Sequence, residues 1–129
     1  MRENMGLFRG KLKSSKEWAF GNLRVMKSGV AIITPDDTLI GTYGQVYPST
    51  VGECTGLKDK NGKLIFEGDI VKGSNILHSN RKIYQVAFDD GSFELFDHKG
   101  VGWHHSHIDN KEVIGNFHDN PELLKGESK

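Results

Sequence analysis

The sequence contains a single cysteine, Cys54, in 129 residues. An intrachain disulfide is thereby excluded, as are zinc sites assembled from several cysteines. Only 3 prolines are present against 16 glycines, a balance that suits short strands joined by tight turns. No apolar run approaches the roughly 20 residues needed to span a bilayer as a helix. The opening MRENMGLFRGKLKSSKEW lacks the apolar segment of a secretory signal, so a cytoplasmic location is expected. Excess charge of one sign is missing too, since 17 basic residues face 17 acidic ones. A dedicated nucleic-acid binder is usually strongly basic, because phosphate neutralisation supplies much of its affinity. With 36% hydrophobic residues, a chain of this length builds one domain, residues 1–129, around its own core.

The charge is nonetheless uneven. Arg2, Arg9, Lys11, Lys13, Lys16, Arg24 and Lys27 outnumber Glu3 and Glu17 in the first part, while Asp109, Glu112, Asp119, Glu122 and Glu127 make the tail acidic. Lysines along a solvated strand discourage edge pairing, and the same basic run is compatible with an edge for DNA or RNA.

Period-two patterns dominate the chain from Glu17 onward. EWAFGNL places Trp18 and Phe20 on one face of a strand, and GVAIITP is a β-branched run stopped by Pro35. Asp36 and Asp37 turn the chain into a further strand at TLIGTY, and GQVYPST reads as a loop with a brief extended stretch. In CTGLKDKNGKLIFEGDIVKG, Asn61-Gly62 predicts a type I′ hairpin turn with both residues at positive φ. Gly68 then makes a corner that Asp69 closes by bonding a backbone amide, with Leu64, Ile65, Phe66, Ile70 and Val71 directed to the core. Such a corner carries a strand from one sheet into the next. RKIYQVAFDDGSFELF is a hairpin with Tyr84, Val86 and Phe88 on one face and a turn at Asp90-Gly91. HKGVGWHHSHIDN is a loop with a short strand around Trp103, and EVIGNF is the last strand. DNPELLKG predicts a short helix, with Asn120 as N-cap, Pro121 at its first position and Gly126 as terminator. The expected fold is mostly β with one short C-terminal helix, as a small SH3-like or related β-barrel with strand-hairpin extensions.

Chemistry-bearing residues are few. His105 and His107 would point to one side of an extended strand and could offer two imidazoles to a metal, with His98 or Asp109 as a further ligand. The spacing matches no HExxH or Cys/His motif, and exposed loop histidines resting on Trp103 are the simpler reading. Glu67 and Asp69 flank a glycine corner, where turn caps explain them better than an acid/base pair. Cys54 is expected to be a packed, inert thiol. There is no phosphate-binding GxxxxGK[ST] loop, and GVGWHH has His105 where a dinucleotide fingerprint needs its third glycine. No catalytic residue, cofactor or resident metal is assigned, and the protein is expected not to be an enzyme. For nucleic acid, Lys58, Lys60, Lys63, Arg81 and Lys82 are the candidate contacts, beside aromatics such as Trp18, Tyr43, Tyr47, Tyr84 and Trp103. Most of those aromatics are expected in the core.

The segment TGLKDKNGKLIFEGDIVK resembles the hallmark segment of the YopX family of phage and prophage proteins. FRGKLKSSKEWAFGNL is similar to that family's opening and EVIGNFHDNPELLKG to its closing segment, in the same order. The resemblance implies a small, mostly β, barrel-like protein encoded by a bacterial virus or prophage and working in the host cell. It carries no catalytic residues or cofactor with it. Three functions are therefore weighed: a non-enzymatic module that binds a protein or its own copies, a nucleic-acid-binding accessory or regulatory β-barrel, and a metal-dependent activity at the histidine-rich loop. Membrane attachment is not expected. Self-association is, because a β chain of this size leaves strand edges that a second copy can cover.

Overall fold

A computed structural model describes residues 7–34, 44–77, 81–89 and 91–125. Pro35, the Asp36-Asp37 turn, the strand expected at TLIGTY, Tyr43, Asp90 and Gly126 lie outside the described residues. The chain divides into two compact units, Met1–Gly56 and Leu57–Lys129.

Eleven strands are described: β1 (Phe8–Lys11), β2 (Trp18–Val25), β3 (Ala31–Thr34), β4 (Gly44–Val46), β5 (Gly52–Lys58), β6 (Leu64–Phe66), β7 (Asp69–Asn75), β8 (Arg81–Asp89), β9 (Ser92–Phe96), β10 (Gly102–His104) and β11 (Ile108–Asn116). They are followed by one turn of helix, α1 (Glu122–Lys125). One antiparallel sheet has the order β4-β3-β2-β1-β5-β6 and the other β10-β9-β8-β7-β11. Both sheets are open, which corrects the expected barrel. The end of β1 touches β4 through one isolated bridge, Leu12 to Val46, and a single pair cannot extend into the ladder that closure requires.

In the first unit, alternation sorts side chains between the two faces of a sheet. Leu23 pairs with Ile33 and Ala31 with Val46. These residues point inward, where Ala31, Ile33 and Val46 are buried against Phe8, Leu12, Ala19, Leu23 and Val51. Trp18 and Phe20 share the opposite face, as alternation predicts, but that face is the outer one.

The second unit has its own core, formed by Ile65, Val71, Tyr84, Val86, Leu95 and Ile108 with Leu57, Trp103 and Val113 packed on it. The expected hairpin of β8 and β9 forms, with Val86 opposite Leu95 and Phe88 opposite Phe93. Its turn uses Gly91 at φ 87°.

The Glu67-Gly68-Asp69 corner also forms as read. Gly68 has φ 95°, and the Phe66 amide donates to Asp69 Oδ2 at 2.7 Å. The chain passes here from β6 in one sheet to β7 in the other. The corner is held on both sides, as Gly68 N donates to Val86 O at 2.8 Å and Phe117 N donates to Gly68 O at 2.7 Å. A Gly68→Ala protein should therefore lose about 1–2 kcal/mol, the cost of forcing a Cβ into the left-handed region. Urea denaturation reads this as a lower midpoint at constant slope, and an unchanged midpoint would show that the corner tolerates a side chain.

The Asn61-Gly62 turn differs from expectation. Gly62 has φ 85°, but the described non-glycine residues at positive φ are Lys16 and Asn110, so Asn61 is not left-handed. Gly62 N donates to Asp59 O at 3.0 Å, and Asp59 N donates to Lys63 O at 2.8 Å. This is a type I turn with a left-handed glycine at the bulge position rather than type I′. The reason is Asp59, whose Oδ1 accepts from Asn61 N at 2.8 Å and Lys63 N at 2.9 Å.

At the C-terminal end the expected short helix forms, but α1 begins at Glu122, one residue later than the expected start at Pro121, and Asn120 Oδ1 accepts from Asn116 N at 3.2 Å. No helix among the described residues is long and apolar enough to cross a membrane.

Candidate functional site

The histidine-rich segment begins at a turn of the same design as the Asp59 turn. Asp97 Oδ1 accepts from Lys99 N at 2.9 Å and Val101 N at 3.0 Å. Gly100 N donates to Asp97 O, and Asp97 N donates to Val101 O. In each turn the second carboxylate oxygen reaches beyond the turn: Trp103 Nε1 on the following strand donates to Asp97 Oδ2 at 3.3 Å, and Val113 N, 54 residues away, donates to Asp59 Oδ2 at 2.9 Å. Burial pushes both carboxyls up, but the hydrogen bonds outweigh it, and each is held below the ordinary aspartate value of 3.8. The shared signal is an aspartate with glycine three residues later, DKNG and DHKG. It is legible in sequence, but the Asn-Gly dipeptide suggests a turn type of its own and masks it.

Beyond β10 the chain does not stay extended. His105–His107 form a turn of 3-10 helix, with His104 Nδ1 accepting from Ser106 N at 3.2 Å as its cap. His105 and His107 therefore do not share one side of a strand, which corrects the geometry behind the metal candidate. The His104 and His105 rings lie 4.3 Å apart, His104 and His107 6.3 Å, and Trp103 meets His107 edge-on at 6.3 Å. His98 belongs to the Asp97 turn and is exposed. Among the described residues, no group of three or more histidine, cysteine or acidic side chains is arranged to hold a metal. Cys54 is buried, with Sγ accepting from Gly56 N at 3.4 Å.

Lys111 ties the 3-10 turn to β11, donating to Ile108 O at 2.8 Å and His105 O at 3.1 Å. Burial lowers its pKa, opposed by Asp109. Burial also lowers the pKa of His105, followed by repulsion from His104 and Lys111. Its folded value thus lies below 6.5, and between the two values the unfolded chain binds the proton that the folded chain refuses. Stability should fall as pH drops below about 6.5 toward the folded value. Urea denaturation at pH 7.5 and 5.5 checks this, with His105→Gln reducing the acid-dependent loss; an equal loss in the variant would clear His105.

The basic candidates are dispersed. Lys58 ends β5, Lys60 and Lys63 sit on the Asp59 turn, and Arg81 and Lys82 open β8. Two of them converge on one carboxylate, Lys60 Nζ at 3.6 Å and Arg81 at 3.8 Å from Glu112 Oε1. Arg81 also donates to Asn110 O and Lys72 O. Their charge is partly met within the fold, which weakens this group as a phosphate site. The first unit holds a grouping that sequence reasoning missed: Arg9 lies 4.6 Å and Lys11 5.5 Å from the Trp18 ring centroid, and Lys13 lies 5.7 Å from that of Tyr47.

Comparison with known proteins bears on this arrangement. The profile described as YopX protein matches residues 7–125. The chain belongs to the YopX family. Its match to the SPbeta prophage-derived uncharacterized protein YopX of Bacillus subtilis (strain 168) is 35% identical over 74 residues, covering 50% of this chain and 53% of that protein. The aligned stretch thus spans about half of the curated relative. Among solved structures, the crystal structure of protein EF1440 from Enterococcus faecalis is 28% identical, with a TM-score of 0.56 over 91% of this chain and 96% of the other. The crystal structure of yopX from Bacillus subtilis shares the fold at 21% identity, with a TM-score of 0.57 over 94% and 98% of the two chains. The YopX resemblance read from the three sequence blocks is thereby established.

Proposed function

We propose that this YopX-family chain is a non-catalytic accessory protein, acting in the host cytoplasm as one functional domain over residues 1–129. Its partner is a protein, with a second copy of itself as the first candidate. The observation that supports this most is the use made of its acidic groups. Asp59, Asp69 and Asp97 each commit their carboxylates to main-chain amides or to the Trp103 indole. Side chains that would move protons in an enzyme here close turns.

The edges of the second sheet favour self-association. The outer edge of β11 is covered, since Lys60 N donates to Lys111 O at 2.7 Å and Val113 N donates to Asp59. At the other edge lies β10, only three residues long, with Gly102 and His104 exposed. A strand from a second copy can add there through main-chain hydrogen bonds.

Sedimentation velocity of the full chain over a wide concentration range tests the reading. A concentration-dependent dimer is expected, weakened by Val101→Lys, which adds charge beside β10 at a residue 48% exposed. A monomer at every concentration would remove self-association. Dimerisation unaffected by Val101→Lys would remove β10.

A further inference from the structure

We infer that the outer face of the sheet formed by β1, β2, β3 and β4 binds single-stranded nucleic acid. This surface belongs to the first unit and is separate from the β10 edge. Alternation sends Ala19, Leu23, Ala31, Ile33 and Val46 inward to the core. The opposite parity must then carry Lys11 opposite Trp18, Arg9 opposite Phe20, and Arg24 opposite Ile32. Cations and aromatic rings thus interleave on one face.

Exposure shows which of them a ligand can reach. Phe20 is 49% exposed, Arg24 and Lys13 are exposed, and Lys11 and Trp18 are half-buried. Arg9 is buried over the indole, 4.6 Å from its ring centroid, so it orients Trp18 rather than meeting a ligand. Lys11 approaches the same ring, and Lys13 approaches Tyr47.

Charge selects the partner. From Leu7 to Thr34, Arg9, Lys11, Lys13, Lys16, Arg24 and Lys27 face one acid, Glu17, although the whole chain balances at 17 of each sign. A local positive field beside exposed rings suits a polymer with phosphates and planar bases. Phosphates meet the lysines and Arg24 while an unpaired base stacks on Phe20. A duplex hides its base faces in its own stack and cannot use the rings, so the strand must be single.

The test uses the full chain and fluorescein-labelled oligo(dT) and oligo(rU) of about twenty nucleotides, enough to span one such sheet face. Anisotropy should rise with protein at low salt, and the affinity should fall with salt at a log–log slope of roughly −2 if about three phosphates are met. Phe20→Ala should weaken binding about 10-fold, as loss of one stacked base implies. Arg24→Glu should weaken it and flatten the salt slope. Both residues face solvent, so an unchanged melting curve separates lost binding from lost fold, and Arg24→Gln serves if the charge reversal perturbs folding. A preference for either strand supports the inference and assigns the sugar. No anisotropy change with either strand overturns it, as does equal binding of a duplex of the same length. Binding indifferent to Phe20→Ala and Arg24→Glu overturns it too, as does variant-sensitive binding to anionic vesicles or to an acidic peptide in place of the oligonucleotides.

Discussion

An Asp59→Ala protein is expected to lose about 3 kcal/mol of unfolding free energy at neutral pH, the scale set by hydrogen bonds to a buried charged group. Asp59 is 7% exposed and accepts from three amides, those of Asn61, Lys63 and Val113. The amides of Asn61 and Lys63 lie in an exposed turn and can turn to water when the carboxylate is removed. Val113 N has less recourse, because it lies in a half-buried strand that packs on the core. The loss should therefore include loosening of β11 and not only of the turn. Hydrogen exchange at Val113, faster in the variant than in the parent, would locate it.

The same carboxylate predicts an acid dependence. Its folded pKa lies below 3.8, so its contribution is complete above the unfolded value and disappears as pH falls through the folded one. The parent should lose stability as pH falls below about 4, with Asp97 adding to the loss, because its pKa is also lowered. Asp59→Ala should show a shallower decline. Parallel pH curves for parent and variant would mean that the turn does not depend on the charge of Asp59.

The second large effect concerns Gly73, the residue that follows the family's hallmark segment. A Cβ at this position would lie 2.4 Å from Ile108 Cγ2 and 3.1 Å from Asp109 O. Ile108 is 1% exposed and belongs to the core, so it has nowhere to retreat. The crowding has a visible origin. Ser74 pairs with Asp109 and Lys72 with Glu112, so Asn110 and Lys111 of β11 together face Gly73. That bulge, with Asn110 at φ 53°, brings the β11 backbone close to β7. Gly73→Ala is expected to cost about 2–3 kcal/mol through overpacking, read as a lower urea midpoint. A stability loss under about 0.5 kcal/mol, the range of surface substitutions, would show that the bulge shifts freely.

Most of the elements were legible in the residues. The β8–β9 hairpin follows from alternation of Tyr84, Val86 and Phe93 and from the glycine at 91. The Gly68 corner follows from a glycine between two apolar pairs, with Asp69 placed to accept an amide. These are local statements, and backbone sterics with period-two burial suffice to make them. The family was readable for the same reason, since its hallmark segment is a string of turn requirements.

Features that neighbours in sequence could not show are decided by partners far along the chain. Whether β1 to β4 close into a barrel depends on how many pairs Leu12 and Val46 can recruit, and they recruit one. Whether the Trp18 face is core or surface depends on which parity meets Ile33 and Val46, because alternation assigns faces without naming the inner one. The Asn61-Gly62 dipeptide is a local signal, yet the turn type is set by Asp59, which also holds a strand 54 residues away. His105 and His107 would share a side only in an extended chain, and the His104 cap and Lys111 coil that segment instead. Local chemistry thus specified strands, corners and family, while long-range hydrogen bonding and packing specified sheet closure, the inward face and the grouping of charged side chains.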